Sequence, residues 1–184
     1  MIATIPPYRW DDLRGEIASL YETHGQDHYG EGVSQLEHAS QASQLAIDAG
    51  AGPTLIAAAF LHDIGHLLDK GADPSSAGDS DRYHERIGAG WIAKRFGDAM
   101  AAPIAAHVEA KRYLCAIEPG YEATLSDASR NSLALQGGPM NEAEAQSFAD
   151  QPGAADAVML RRWDDAAKVP GALPITVEQL LELI

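Results

Sequence analysis

The segment FLHDIGH, residues 60–66, decides how this sequence can fold. It lies inside TLIAAAFLHDIGHLL, residues 54–68, whose apolar content predicts one buried helix. Such a helix buries His62, Asp63 and His66, and each buried polar group without a partner costs roughly 2–7 kcal/mol. Adjacent helical residues point about 100° apart, so His62 and Asp63 can border one cavity, with His66 one turn further on. A shared metal ion would satisfy all three side chains.

Length and composition limit the classes of protein to consider. The 184 residues are enough for one domain with a large core, and we predict a single domain over residues 1–184. A formal net charge of −14 argues against nucleic-acid and anionic-membrane partners, because both bind basic surfaces. Cys115 is the single cysteine, so no internal disulfide forms, and we interpret this thiol as a packing residue.

The sequence carries no targeting or membrane signal that we recognise. The N-terminal stretch MIATIPPYRW has neither a basic region nor an apolar region of the secretory kind. No run reaches about 18 uninterrupted apolar residues, the length that a membrane helix needs. We therefore expect a soluble, cytoplasmic protein.

Helical spacing of apolar residues recurs along the rest of the chain, and no strand alternation competes with it. The sequence therefore predicts an all-α fold. Helices are expected at 10–24 with a stop at Gly25, about 33–49, 54–68, about 83–96, about 100–117 and about 154–168. Shorter helices are expected after Ser126 or Ser129, after Asn141 with Glu144 as its capping partner, and after Thr176 with Gln179.

Two features of the middle of the chain complete the predicted organisation. Residues 70–81, KGADPSSAGDSD, are too rich in Gly, Pro, Ser and Asp to be helical, and predict a loop that is either a lid or a linker. In the helix that follows, Ile87, Trp91 and Ile92 are expected on the buried side.

The candidate metal ligands follow one another on successive predicted helices. They are His38, His62, Asp63, His84, His107 and Asp164. Four imidazoles and two carboxylates suit first-row transition metals rather than the all-oxygen shells of calcium and magnesium. Six ligands are too many for one tetrahedral zinc. If Asp63 bridges, the set divides: His38, His62 and Asp164 hold one ion. His84 and His107 hold the other, which keeps open positions.

Each candidate has a simpler explanation when it is taken alone. A single buried histidine is more often a hydrogen-bonded core residue, and Asp164 beside Asp165 would usually lie on a solvated helix face. Together with the adjacent His62–Asp63 pair they favour a metal centre, because one fold would otherwise bury many unpaired imidazoles. His24 and His28 lie in a polar connection and are expected to be exposed.

The order of these ligands resembles the HD superfamily of metal-dependent enzymes, named for an adjacent His–Asp pair. Further segments resemble its branch of mixed-valence diiron oxygenases that cleave organophosphonates. They are QLEH at 35–38, HVEAKRYL at 107–114, QGGPM at 136–140 and LRRWDD at 160–165. The resemblance covers about residues 27–168. It implies a single HD-type helical bundle with the metal site at its centre.

The resemblance also implies a reaction. A pair of iron ions, Fe(II)/Fe(III), binds a 1-hydroxyphosphonate through its hydroxyl and phosphonate oxygens. O₂ is the co-substrate, and cleavage of the carbon–phosphorus bond gives phosphate and a carboxylic acid. The expected substrate is a 2-aminated 1-hydroxyethylphosphonate, which an upstream hydroxylase would supply. The trimethylammonio compound, giving glycine betaine, is preferred over the free amine, giving glycine.

Several residues are then expected to contact this substrate. Lys111 lies one turn after His107, so its cation faces a dianion on the metal; the alternative is a surface lysine. His66 would hydrogen-bond the substrate hydroxyl or a metal ligand, and with Lys111 forms the predicted catalytic pair. Ser129 and Gln136 are candidate donors to phosphonate oxygens, or else simple turn residues. Arg161, one turn before Asp164, would orient that carboxylate or contact the phosphonate; Arg162 is the weaker candidate.

The amine end of the substrate is expected to meet the acidic connection 27–32. A carboxylate such as Glu31, about 4 Å from an ammonium, gives roughly 4 kcal/mol at an effective dielectric near 20. The ring of Tyr29 would add about 0.5–2 kcal/mol toward a methylated ammonium. In the resembling enzymes a tyrosine three residues before this Glu can occupy an iron position. Here His28 stands there, which leaves that gating step open, and a solvated loop is the alternative.

Two other functions compete with the oxygenase. An HD-type phosphohydrolase would use the same ligands with Mn²⁺, Mg²⁺ or another divalent ion to activate water against a phosphate ester or nucleotide. Ligand chemistry alone does not separate the two enzymes, but segments 107–114 and 136–140 favour the oxygenase. A regulatory domain without turnover is disfavoured because no candidate ligand is missing.

Overall fold

The computed structural model describes residues 10–28, 32–68 and 83–183, and every regular element in these ranges is an α-helix. The helices are α1 (Trp10–His24), α2 (Gln35–Asp48), α3 (Pro53–Leu61), α4 (Ile64–Leu68), α5 (His84–Phe96), α6 (Asp98–Ile117), α7 (Tyr121–Thr124), α8 (Asp127–Leu135), α9 (Glu142–Ala149), α10 (Ala154–Ala166) and α11 (Val177–Leu183). The all-α prediction is confirmed. A single domain over residues 1–184 stays a prediction, and the predicted loop 70–81 lies outside the described residues.

Side-chain caps set where several of these helices begin. The Ser34 hydroxyl accepts from the Glu37 N–H at 3.3 Å, and the Ser34 N–H donates to the Glu37 carboxylate at 2.7 Å. Helix α2 therefore starts at Gln35, two residues later than predicted. Ser126, rather than Ser129, caps α8. Both predicted capping pairs are present, Asn141 with Glu144 and Thr176 with Gln179.

The main core lies between the long helices, with α6 packed against α3, α5 and α10. Ile17, Phe60, Ile104 and Leu160 are fully buried there, from α1, α3, α6 and α10. Burial of such side chains gives roughly 1.5–3 kcal/mol each, which holds the helices around one centre. None of the described helices is both long and apolar enough to cross a membrane.

The prediction of one helix over residues 54–68 is wrong, because α3 ends at Leu61 and α4 begins at Ile64. In an unbroken helix the carbonyls of residues 59 and 60 would accept from the N–H groups of residues 63 and 64. Here the Ala59 carbonyl accepts from His62 Nδ1 at 2.8 Å, and the Phe60 carbonyl accepts from the Tyr21 hydroxyl at 2.9 Å. Side-chain donors thus replace the helical pattern at the His–Asp pair.

Helices α4 and α5 approach each other closely through glycine. A β-carbon on Gly65 would lie 2.0 Å from the carbonyl oxygen of His84, and one on Gly88 would lie 3.2 Å from the Gly65 nitrogen. Only glycine permits this contact at residue 65. The approach also corrects the predicted burial of Ile87, which is 37% exposed, because α5 turns Gly88 and Ala89 inward instead. Ile92 is buried as predicted, and Trp91 is partly buried.

Candidate active site

Four histidine rings from four parts of the fold meet in the core. His38 lies on α2, His62 follows α3, His84 begins α5 and His107 lies on α6. The Nε2 atoms of His38 and His62 are 3.2 Å apart, and those of His84 and His107 are 3.3 Å apart. All four rings are buried. The cluster therefore consists of two pairs of imidazole nitrogens.

The carboxylate of Asp63 lies between the two pairs. Its Oδ2 is 3.6 Å from His38 Nε2 and 3.5 Å from His62 Nε2, while its Oδ1 is 3.5 Å from His84 Nε2 and 3.8 Å from His107 Nε2. Each oxygen thus faces one pair, and two possible metal-binding groups share this residue.

The sixth candidate ligand, Asp164, joins the first pair from α10. Its Oδ1 is 3.3 Å from His38 Nε2 and 3.9 Å from His62 Nε2. The structure thus brings all six predicted ligands together. Burial opposes ionisation of Asp164, but Arg161, His38 and His62 together outweigh it and lower the pKa of the carboxyl group. This carboxylate is therefore charged at neutral pH.

The outer nitrogens of the rings show that this donor set fits a metal. Three Nδ1 atoms lie within hydrogen-bond distance of carbonyl oxygens: His38 to Ala167 at 2.9 Å, His62 to Ala59 at 2.8 Å and His107 to Ile104 at 2.7 Å. A neutral ring that donates from Nδ1 presents a lone pair at Nε2. Lone pairs this close repel one another, and a cation between them removes the repulsion. Nitrogen and carboxylate donors suit a transition metal.

The pKa values of two of the rings, His107 and His38, are shifted in opposite directions. Burial lowers the pKa of His107 to about 4, so this ring is neutral at pH 7. For His38 burial acts in the same direction, but Asp164 and Asp63 outweigh it and raise the pKa to about 9. The metal-free chain therefore holds a proton at His38 that a metal ion displaces.

A cavity of about 90 Å³ opens beside the cluster. Five of the predicted substrate-binding residues line it: His66, Lys111, Ser129, Gln136 and Arg161. The ring of His66 stacks on that of His84, with 4.1 Å between centroids. The other two, Tyr29 and Glu31, lie outside the described residues. Cavity and cluster together thus form one site, whose wall combines the candidate ligands with cationic side chains such as Lys111 and Arg161.

Lys111 is buried, which rules out the alternative of a surface lysine. Its Nζ donates to Ser132 Oγ at 2.6 Å and to the Ser129 carbonyl at 3.4 Å. Both partners belong to α8, so this short helix holds the amine at the cavity wall. A buried ammonium group is stabilised when it meets an anion there.

Arg161 was expected either to orient Asp164 or to contact a phosphonate, and its ion pairs are with two carboxylates, while Nη2 also donates to Ser129 Oγ at 3.2 Å. Its Nη1 lies 2.8 Å from Asp164 Oδ2, and its Nη2 pairs with Asp165. Burial opposes its charge, but the two carboxylates outweigh it and raise the pKa of Arg161 further. Arg162, the weaker candidate, is exposed and pairs with Glu118.

Three polar residues of the cavity wall were not predicted from the sequence: Gln35, Ser132 and Lys168. Their spacing carried a usable signal. Gln35 precedes His38 by three residues, Ser132 follows Ser129 by three, and Lys168 follows Asp164 by four. Such spacings place two side chains on the same face of a helix.

Comparisons with known proteins agree with this site, although no family model matches the chain. A hydroxymethylphosphonate dioxygenase of Gimesia maris is 48% identical over 159 residues, which cover 84% of this chain and 79% of the relative. The 1-hydroxy-2-(trimethylamino)ethylphosphonate dioxygenase (glycine-betaine-forming) of Leisingera caerulea is 38% identical over 153 residues, or 83% of this chain and 78% of the relative.

A third relative, an uncharacterized protein of Acanthamoeba polyphaga mimivirus, is 40% identical over 156 residues, covering 83% of this chain and 71% of the relative. Both relatives with a named activity are dioxygenases of phosphonates, as the resemblance of the motifs implied. Identity at this level over most of each chain goes well beyond a shared fold. The chain therefore belongs to the phosphonate dioxygenase family.

Proposed function

We propose that the protein uses O₂ to cleave the carbon–phosphorus bond of a 1-hydroxyphosphonate, giving phosphate and a carboxylate. The observation that carries this proposal is that one small cavity adjoins both the histidine–aspartate cluster and the buried amine of Lys111. A ligand there reaches a metal centre and a cation at once. Relatives named as phosphonate dioxygenases support the same chemistry. They weigh against the phosphohydrolase alternative.

The proposed cofactor is a mixed-valence Fe(II)/Fe(III) pair. His38, His62 and Asp164 would hold one ion, His84 and His107 the other, and Asp63 would bridge both. When bound, the pair supplies the redox chemistry with O₂ that side chains alone do not. The chain's part is to position the substrate and to balance its charge.

Each residue of the cavity wall has a proposed task. Lys111 neutralises the phosphonate, and Ser129 donates to one of its oxygens. Gln136 Oε1 is buried and accepts no hydrogen bond from the described residues, and the Nε2 group of the same amide would donate to a phosphonate oxygen. His66 hydrogen-bonds the substrate hydroxyl or supports a metal ligand. Arg161 acts on Asp164 rather than on the substrate.

The relatives differ in the group attached to the reacting carbon, and we propose that this chain takes the nitrogen-bearing substrate. Glu31 would meet the ammonium and Tyr29 its methyl groups, which favours the trimethylammonio compound over the free amine. The Gimesia maris relative is named for hydroxymethylphosphonate, which has no nitrogen. That compound is therefore the competing substrate.

The test is to measure iron content and O₂ uptake on anaerobically purified protein supplied with the three substrates in turn. We expect two irons per chain and one phosphate released for each O₂ consumed. Release of phosphate from a phosphate ester without O₂ would support the hydrolase instead.

A second experiment tests whether the protein selects for the nitrogen of the substrate. Glu31→Gln and Tyr29→Leu should raise KM for the trimethylammonio compound and leave KM for hydroxymethylphosphonate unchanged. If hydroxymethylphosphonate reacts best in the unaltered enzyme, the connection 27–32 does not select for nitrogen.

A further inference from the structure

Asp165 binds the guanidinium group of Arg161 along the edge that carries Nε and Nη2. Arg161 Nε lies 3.2 Å from Asp165 Oδ2, and Arg161 Nη2 donates to Asp165 Oδ1. Two bonds from one guanidinium group to one carboxylate fix the plane of that group, which a single bond does not do. The remaining nitrogen, Nη1, lies 2.8 Å from Asp164 Oδ2. The direction in which Arg161 meets Asp164 therefore depends on Asp165.

Tyr121 contacts the same two side chains from α7. Its hydroxyl group donates to Asp165 Oδ2 and accepts from Arg161 Nε at 3.4 Å. Burial is the main cause that raises the pKa of Tyr121, so the phenol keeps its proton at neutral pH and can donate it to a carboxylate. Each of the three side chains thus bonds to the other two. Hydrogen bonds connected in this way strengthen one another, so the loss of one loosens the rest.

The position of Tyr121 is fixed by contacts outside α10. The residue is 5% exposed, and its N–H donates to the Glu118 carbonyl at 3.1 Å while its carbonyl accepts from Thr124 Oγ1 at 2.7 Å. Its ring packs in a small core cluster with three leucines of α6, α8 and the end of α7: Leu114, Leu133 and Leu125. The hydroxyl group therefore gives Arg161 a fixed reference point on another part of the fold.

Building on the proposed role of Asp164 as a metal ligand, we propose that Tyr121 is a positioning residue of the metal centre. It acts through Asp165 and Arg161, which hold the carboxylate of Asp164 toward the first histidine pair. Without the hydroxyl group, Asp165 loses a donor and its carboxylate can rotate away from the guanidinium group. Tyr121 is not one of the described residues that line the cavity, so its effect falls on metal binding rather than on a phosphonate.

The experiment is an anaerobic titration with Fe(II), which measures affinity rather than turnover. Tyr121→Phe removes the hydroxyl group and keeps the ring that packs in the core. Tyr113→Phe is the matched control, because Tyr113 packs against the same cluster and its hydroxyl group makes no hydrogen bond with the described residues. Asp165→Asn disturbs the same three side chains from another partner. The double variant Tyr121→Phe/Arg161→Gln tests the route, because an effect that passes through Arg161 disappears when Arg161 is replaced.

We expect Tyr121→Phe to weaken Fe(II) binding roughly three- to tenfold, the size of one hydrogen bond, and Tyr113→Phe to leave it unchanged. Asp165→Asn should weaken it at least as much as Tyr121→Phe does. In the Arg161→Gln background, Tyr121→Phe should change the affinity by less than about twofold.

Three results would overturn the assignment: an unchanged affinity in Tyr121→Phe, an equal loss in Tyr113→Phe, or the same loss with and without Arg161. The proposed function can fail separately. If iron affinity depends on Tyr121 through Arg161 but no phosphonate is oxidised, only the proposed function fails. If phosphonate is oxidised and Tyr121→Phe binds Fe(II) as the wild type does, only the positioning role fails.

Discussion

The two ends of the cavity are built differently. At the metal end, three rings are each within hydrogen-bond distance of a backbone carbonyl of the helical core. At the anion end, the lysine amines meet serine hydroxyls of α8 and its cap, and one hydroxyl, that of Ser129, is shared by two donors. Each of these histidine rings is therefore positioned by its own backbone carbonyl, independently of the other rings. The lysines and serines instead form one hydrogen-bond network, in which the loss of one side chain affects several partners.

The largest effect should come from Asp63, which faces both histidine pairs. Asp63→Ala should remove both ions and lower turnover roughly 10³-fold or more, as when one member of a catalytic unit is lost. Metal analysis of protein purified in the presence of iron measures this. His107→Ala is the comparison, because it should empty mainly one position. One tightly held zinc with full activity in the unaltered protein would contradict the two-ion centre.

A substitution at Arg161 tests whether this side chain supports metal binding or anion binding. Arg161→Gln removes the donors to Asp164, and loss of such a supporting contact should lower metal affinity about 10- to 100-fold. Titration with Fe(II) under anaerobic conditions measures the change, and Arg162→Gln, at the exposed neighbour, should have none. If iron affinity is kept while methylphosphonate binding weakens, Arg161 belongs to the anion end.

Lys111 should give the complementary result. Lys111→Ala removes a buried ammonium group that faces the ligand, so KM for the phosphonate should rise roughly tenfold or more. Iron content should stay at the wild-type level because this amine is held by the Ser129 carbonyl and by Ser132 Oγ, which both belong to α8. A parallel loss of iron in this variant would mean that the amine supports the metal end instead.

The effect of a single pH unit is expected to be the smallest of these changes, and it sharpens the description of the metal end. The raised pKa of His38, about 9, means that this ring is protonated in the metal-free protein at neutral pH. A metal ion must displace that proton, so affinity should rise with pH by about tenfold per unit and level off near pH 9. Fe(II) titrations at several pH values measure the slope. A flat profile between pH 6 and about 9 would show that His38 binds no proton.

The sequence was most informative where a residue type is unusual in its setting. Histidines at helical spacing within apolar helices stand out, and the structure brings His38, His84 and His107 to the His62–Asp63 pair. Lys168 and Ser132 are ordinary surface residue types; their spacing from Asp164 and Ser129 hints at a shared face, but the packing of α8 beside the end of α10 makes them part of a cavity. That placement depends on contacts distant in sequence, which periodicity does not record.

The break between α3 and α4 was missed for a related reason. The apolar pattern continues through residues 54–68 without a proline, so local preference favours one helix. The donor that takes the Phe60 carbonyl is the hydroxyl of Tyr21, on another helix. Ile87 was predicted inward on periodicity alone, whereas the contact between Gly65 and α5 decides which face of that helix is buried.

The contact at Gly65 also limits how far His84 can move relative to α4. The missing side chain of Gly65 lets the first residue of α5, His84, lie against α4 with no spare room. Even a methyl group would push α5 outward by about 1 Å or more, while metal sites require their ligands within about 0.5 Å of the working position. Any larger residue there would change the distance between the two histidine pairs from outside the cluster itself.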